Sequence, residues 1–232
     1  MLILGIESST AQVGCALGGH EGVLASAHSA KGRRHAENLT PAIEFICRQA
    51  HVELSEVGLV AVDVGPGLFT GLRVGIATAK AIAFALRVPM IGVSSLDLLA
   101  FPVRFTPRLI VAMIDARRGE VYHALYRQVP GGVQRVSELA VGSPEDLASE
   151  LFATGEELLL VGDGAHRYQD AFDDHARIEM VDKGASLPSA SALVQLAHAR
   201  ALREDFSQID SISPIYLRRP DAEINWTTRS ST

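Results

Sequence analysis

The chain has 232 residues, 47% hydrophobic and 21% charged, with a formal net charge of −6 from 21 basic and 27 acidic residues. That mixture provides core material for two compact lobes and excludes disorder over most of the chain. The acidic balance excludes a polycation built to coat nucleic acid, and Cys15 and Cys47, far apart with no CxxC spacing, exclude a disulfide framework or a cysteine zinc site.

In chain order, Leu2 to Ile6 is a continuous apolar run and reads as a strand buried on both faces. The polar turn Glu7-Ser8-Ser9-Thr10 follows, and Val13 to Leu17 and Val23 to Ala27 read as strands joined across Gly18-Gly19. A helix begins around Pro41, with Leu39, Ile43, Ile46 and Ala50 at helical spacing. Leu59 to Val64 is a buried strand ended by Gly65-Pro66-Gly67, and a long helix is expected from Gly71 to Leu86 with Thr70 as N-cap. Met90 to Val93 is a short strand and Ser94 to Ala100 a short helix, and Pro102 and Pro107 bracket a hinge. Strands then follow at Leu109 to Ile114, Val121 to Tyr126 and Val133 to Leu139, with a helix at Pro144 to Phe152. Leu158 to Val161 and Ile178 to Val181 read as strands, Arg167 to Asp173 as part of a helix, and Ala190 to Leu202 as a helix. The tail from Ile209 to Thr232, with Pro214, Pro220 and Trp226, reads as irregular.

Ile6-Glu7, Val13 and Ala16-Leu17 match Ile114-Asp115, Val121 and Ala124-Leu125 at one constant offset. Each half thus opens with an apolar strand, an acid at its end, a turn and a second strand. The expected fold is α/β and two-lobed, a duplicated unit of three strands followed by alternating helices and strands, with mixed sheets covered by helices. The lobes are expected at residues 1–105 and 106–205, with 206–232 as a tail and the acidic turns facing the cleft between lobes.

An acid followed by a small polar turn suits a phosphate loop, in which N–H groups and hydroxyls cradle phosphate and the acid holds a metal through water. Glu7, Ser8, Ser9 and Thr10 have the right types, with Asp115 and its turn as counterpart. Ser9 stands where glycine is usual, and Arg117 and Arg118 crowd the second turn, so the positions read as degenerate. Gly65-Pro66-Gly67-Leu68-Phe69-Thr70-Gly71 lacks the Lys-Ser/Thr pair of a Walker loop and reads as a tight turn into a helix.

In that helix Gly71, Gly75, Ala79 and Ala83 fall four apart, a small-residue stripe that admits another helix. Arg73, Lys80 and Arg87 form a thin basic stripe, and nearly everything else is apolar. Such a helix needs burial on more than one side, by its own chain or by a partner; the reading adopted is a partner interface. Lys31, Arg33 and Arg34 make a basic loop that either touches RNA phosphate or is simply solvated. HxxxH, HExxH and GxSxG are absent, so neither a one-helix histidine metal site nor a nucleophile elbow is expected. Mean hydropathy is +0.18, but the stretch from Val74 to Val93 is broken by Lys80, Arg87 and Pro89, and the N-terminus lacks a basic n-region. No membrane attachment is expected.

The run from Val64 to Gly75, VGPGLFTGLRVG, closely resembles a hallmark of the TsaB (YeaZ) family, as does the run from Ile114 to Tyr122, IDARRGEVY. The opening Ile3 to Thr10 and the late Pro214-Ile215-Tyr216-Leu217-Arg218 are similar to it in type and order. The resemblance implies the ASKHA fold of actin, Hsp70 and sugar kinases. It also implies a non-catalytic subunit in installing threonylcarbamoyl on N6 of the tRNA adenosine following the anticodon, in keeping with the cytoplasmic location expected from the missing signal peptide and the cysteine usage. Partners implied are the TsaD paralogue, the TsaE ATPase and a second copy of the chain, with tRNA met indirectly; no cofactor is implied. Carried onto this sequence, the partner face comprises Leu39, Ile43, Ile46, Gly71, Leu72, Gly75, Ala79 and Ala83. Glu7 stands where many relatives have Asp. The competing expectation is an independent ASKHA-type ATPase or kinase using Glu7 and Asp115; a metallopeptidase finds no ligand spacing.

Overall fold

A computed structural model describes residues 1–30, 35–172 and 176–218. The chain opens with β1 (Leu2–Glu7), β2 (Val13–Gly19) and β3 (Gly22–Ser29), then α1 (His35–Ala50), β4 (Val57–Gly65), α2 (Phe69–Leu86), β5 (Met90–Ser94) and the short α3 (Ser95–Ala100). These strands form one sheet in the order β3-β2-β1-β4-β5, antiparallel from β3 to β1 and parallel from β1 to β5. Side chains alternate across the pleat. Leu4, Ile6, Val60 and Val62 meet Leu39, Ile43 and Ile46 of α1 and Ile76, Ala79 and Ala83 of α2. Ile3, Leu59, Ala61 and Ile91 line the opposite face. Because β1 is covered on both sides, its sequence is apolar without alternation.

The second half supplies β6 (Leu109–Arg117), β7 (Glu120–Val129), β8 (Gly132–Arg135), β9 (Ala140–Gly142), α4 (Pro144–Thr154), β10 (Leu158–Val161), α5 (Asp163–Arg167), β11 (Ile178–Met180) and α6 (Ala190–Ala201). Its sheet runs β11-β10-β6-β7-β8, with β9 added on β7. Setting β9 aside, this is the order of the first sheet, as the duplication requires. Leu147, Ala148 and Leu151 of α4 pack with Val111 and Met113 on one face. On the other face α3 joins the lobes: Leu98 packs with the first sheet, while Leu96, Leu99 and Ala100 pack with Ile110, Ala112 and Ile114 of the second.

The two sheets are separated in sequence between Ala100 and Leu109, and α6, though it follows the second sheet in sequence, packs on the first. Ala190, Leu193, Val194 and Ala197 sit against Ile3, Ala16 and Leu59 of the first sheet. Among the described residues no other long helix covers that sheet face, so the burial of α6 there satisfies both surfaces. Past α6 the chain becomes a strap. Ser207 N donates to Met90 O at 2.8 Å and Ile215 N to Val64 O at 2.7 Å, while Ile212 is buried in the first core. Arg218 then reaches the second lobe, donating to Ala116 O at 3.2 Å and pairing with Glu120.

Three local expectations are corrected. Thr70 lies inside α2; the N-cap is Leu68, whose own N–H is taken by Ser9 O at 2.6 Å, so the tertiary contact sets where the helix enters. The strand expected over Val133 to Leu139 stops at Arg135, the end of β8, and β9 starts only at Ala140, because at Ser137 a side-chain hydroxyl replaces the ladder and accepts Leu125 N at 2.9 Å. The helix expected at Arg167 to Asp173 sits a turn earlier, as α5, followed by a 3₁₀ turn at Gln169–Ala171.

The start of α4 is as its sequence suggests: Ser143 Oγ accepts Asp146 N at 3.0 Å, with Pro144 in the first turn. Replacing Ser143 with alanine should cost about 1 kcal/mol in urea unfolding; an unchanged midpoint would show that this cap contributes nothing.

Candidate site at the inter-lobe acids and the outer helical face

The first acidic turn does not face an open cleft. Glu7, Ser8 and Ser9 are fully buried and Thr10 nearly so. The loop after β4 closes over them: Leu68 N donates to Ser9 O, and Ser8 Oγ donates to Gly71 O at 2.9 Å. At Gly67 a β-carbon would stand 2.2 Å from Ser9 O, so only glycine permits this approach. The space a phosphate would need is filled by the chain's own backbone. Glu7 Oε1 accepts Ser9 N at 2.7 Å and Ser9 Oγ at 2.8 Å.

Close to Glu7 lies Asp63, near the end of the neighbouring β4 and 1% exposed. Sequence reasoning missed it because it sits inside an apolar strand, Val57–Gly65; an acid breaking such a run was the available signal. Asp63 Oδ1 accepts Gly65 N at 2.8 Å and Ser95 Oγ at 2.6 Å. Burial is the first cause that lifts both carboxyls. Glu7 stands well above the usual carboxylate range, with the Asp63 charge adding. Asp63 is raised to about 6 despite its hydrogen bonds from Ser95 and Gly65.

Asp115 lies near the end of β6 in the corresponding place and is 8% exposed. Its surroundings differ. Oδ1 accepts Arg117 N at 2.9 Å and Tyr168 OH at 3.1 Å; Oδ2 pairs with Arg117 Nη1 at 3.2 Å and Arg167 Nε at 3.4 Å. Arg117 and Arg118 both adopt positive φ, 64° and 58°, a conformation costing about 1–2 kcal/mol for each non-glycine residue. The Asp115 contacts hold Arg117 in that turn. Asp163, missed like Asp63, accepts Asp115 N at 3.1 Å and is raised chiefly by burial. The second acid is thus bound to its own arginines. Among the described residues no three His, Cys, Asp or Glu side chains gather as a metal-holding group.

The small-residue stripe faces inwards. Gly71, Leu72, Gly75, Ala79 and Ala83 are buried against the first sheet, as are Leu39, Ile43 and Ile46. The sheet, not a second helix from outside, takes the close approach that the stripe permits. What α2 presents outward is Phe69, Thr70, Arg73, Ala77, Ala81, Phe84 and Ala85. Phe84 is 79% exposed, and Phe45 of the adjacent α1 is 44% exposed. Of the basic stripe, Arg73 Nε donates to Tyr216 OH at 3.0 Å and its guanidinium lies 3.7 Å over the Phe69 ring. Lys80 Nζ donates to Asp210 O at 3.5 Å. The stripe is therefore the track of the strap. Lys31, Arg33 and Arg34, expected at RNA, lie outside the described residues.

By length and composition α2 is also the one described helix apolar enough to cross a membrane; its inward half packs on β4 and β1. Cys15 and Cys47 are free and buried, with burial pushing the Cys15 thiol up to about 12.

Residues 23–226 match a protein family described as TsaD: tRNA N6-adenosine threonylcarbamoyltransferase. The tRNA threonylcarbamoyladenosine biosynthesis protein TsaB of Escherichia coli is 29% identical over 94% of this chain and 95% of its own length. An uncharacterized Mycobacterium leprae protein is 37% identical over 96% of this chain, and the chain spans 56% of that relative's length. The structure of YeaZ from Pseudomonas aeruginosa superposes with a TM-score of 0.81 at 30% identity, covering 93% of this chain and 99% of that one. At the level of fold alone, ethanolamine utilization protein EutJ from Carboxydothermus hydrogenoformans matches with a TM-score of 0.51 at 11% identity over 84% of this chain and 90% of that one. The duplicated two-lobed architecture is that of the ASKHA proteins.

Proposed function

The chain belongs to the TsaB (YeaZ) family, and on that premise we propose that it is a non-catalytic scaffold and activating subunit for threonylcarbamoyl transfer to N6 of the tRNA adenosine following the anticodon. In this reading it pairs with a TsaD transferase, works with a TsaE ATPase, forms a homodimer when alone, and acts in the cytoplasm. The observation that carries the reading is the contrast between its two surfaces. The acids that a phosphate-handling relative would use are closed off, Glu7 beneath its own loops and Asp115 within an arginine clamp. Meanwhile α1 and α2 turn phenylalanines and alanines to solvent, where a partner helix gains by burying them. In this reading the partner interface lies on the outer residues Phe45 of α1 and Ala77, Ala81 and Phe84 of α2.

The test is tRNA threonylcarbamoylation in a mixture of TsaD, TsaE and the threonylcarbamoyl-AMP donor system, with and without this chain. Strong dependence on the chain is expected, retained by Asp115→Asn once circular dichroism shows that variant folded. Activity indifferent to the chain would remove the proposed function. Magnesium-dependent ATP binding by the isolated chain, lost in Asp115→Asn, would point instead to an ASKHA-type ATPase or kinase.

A further inference from the structure

The duplicated lobes repeat one placement of acids with opposite charge balance. In the second lobe two guanidinium groups and a phenol reach Asp115. In the first lobe, among the described residues, no ion pair reaches Glu7 or Asp63. Each carboxyl spends one oxygen on neighbouring groups, Glu7 on Ser9 and Asp63 on Gly65 and on Ser95 of α3. The remaining oxygens, Glu7 Oε2 and Asp63 Oδ2, are buried without a hydrogen-bond partner. Two neighbouring carboxylates sealed from water and unmatched by a cation cannot both stay ionised: desolvation opposes each charge and the two repel. Among the described residues no third His, Cys, Asp or Glu side chain joins the two carboxyls as a metal-holding group.

We propose that Glu7 and Asp63 together hold one proton at neutral pH, forming a proton-dependent clasp between the β1–β2 turn and the loop that leads into α2. The clasp lies beneath Ser8 and Ser9, whose bonds to Gly71 O and Leu68 N fix the entry of α2. The charged groups around it are few. Asp97 of α3 faces Asp63 and adds to its rise, while itself accepting Tyr126 OH at 2.7 Å and lying 3.7 Å from Arg135. The β1–β2 turn contributes serines, and Arg73 of α2 is turned outward onto Tyr216.

Both folded carboxyls titrate above their unfolded counterparts, so their contribution to stability is present in full below the unfolded range and is lost as pH rises. Asp63 is raised to about 6 and Glu7 stands well above the usual carboxylate range, and their mutual repulsion separates the loss of the two protons into two steps. The pair, rather than either residue, owns these two steps.

Thermal melting between about pH 5 and about pH 9 should show the wild type losing stability with rising pH. Glu7→Gln, whose amide can donate where the acid proton did, should lose less, and Glu7→Gln/Asp63→Asn least. Infrared spectra of the wild type at neutral pH should show a protonated carboxylic acid C=O band that Glu7→Gln removes. Hydrogen exchange at residues 67–73 should accelerate above its intrinsic pH dependence in the wild type only. Lack of that band in the wild type overturns the proposal even if neither variant folds, and so does the same pH slope in wild type and Glu7→Gln. Saturable stabilisation of the wild type, but not of Glu7→Gln, by magnesium or potassium chloride alone would place a cation where the proton is assigned and overturn it equally.

Discussion

Replacing Gly75 with leucine is expected to destabilise the first lobe strongly. A β-carbon at position 75 would lie 2.1 Å from Ser8 Oγ and 3.3 Å from Ser8 Cβ, with Ile6 Cγ2 at 3.6 Å behind. Ser8 is fully buried and its hydroxyl donates to Gly71 O, so relief by rotation would cost that bond and still leave the Cβ contact tight. The rest of the leucine would have to enter the seam between α2 and β1, whose side chains already fill it. Overpacking plus a broken buried hydrogen bond should cost about 3 kcal/mol. Urea unfolding measures this directly. A Gly75→Leu protein with the wild-type midpoint would show that α2 stands off the sheet and that the small-residue stripe is available to a partner after all.

That stripe shows how the sequence was legible in pattern and ambiguous in direction. Spacing of four marks a close approach, but not whether the neighbour is a sheet of the same chain or a helix of another. Strands were easier, because β1, β4 and β6 are largely apolar runs, and the repeat of Ile6-Glu7 in Ile114-Asp115 pointed to a duplicated unit. The acids at the strand ends were legible as residues, their burial was not. Ser9 O and Gly67 are distant in sequence, and only the folded loop shows that they meet. Asp63 and Asp163 carried no motif and came into view only beside Glu7 and Asp115. The strap was hidden for a similar reason: Tyr216 and Asp210 find Arg73 and Lys80 from more than a hundred residues away.

Those strap contacts also sort the outer face of α2 by what is already spent. Phe69 stacks on Tyr216 at 5.2 Å between centroids, and Arg73 serves both rings, so the N-terminal end of the helix is partly covered by its own chain. Ala77, Ala81, Phe84 and Ala85 are exposed farther along. On the proposed function, this C-terminal half with Phe45 of α1 is where pairing energy should concentrate.

Phe84→Asp is therefore expected to abolish pairing while leaving the fold intact. The side chain is 79% exposed, so its loss removes little from the core, and aspartate costs the helix only a fraction of a kcal/mol, roughly what phenylalanine already does. In a complex, an aromatic anchor removed from the centre of an interface typically costs about 2 kcal/mol or more, on the order of a thirtyfold loss in affinity, and a buried charge adds to it. Sedimentation of the isolated chain should shift from dimer to monomer at a concentration where the wild type is paired. Threonylcarbamoylation with TsaD and TsaE should fall in parallel, with an unchanged circular dichroism spectrum and melting temperature. Phe45→Asp should act in the same direction and more weakly, since that ring is already half-buried on α1. If Phe84→Asp pairs and activates like the wild type, the exposed half of α2 is not the interface, and the strap-covered end around Phe69 and Tyr216 becomes the surface to test.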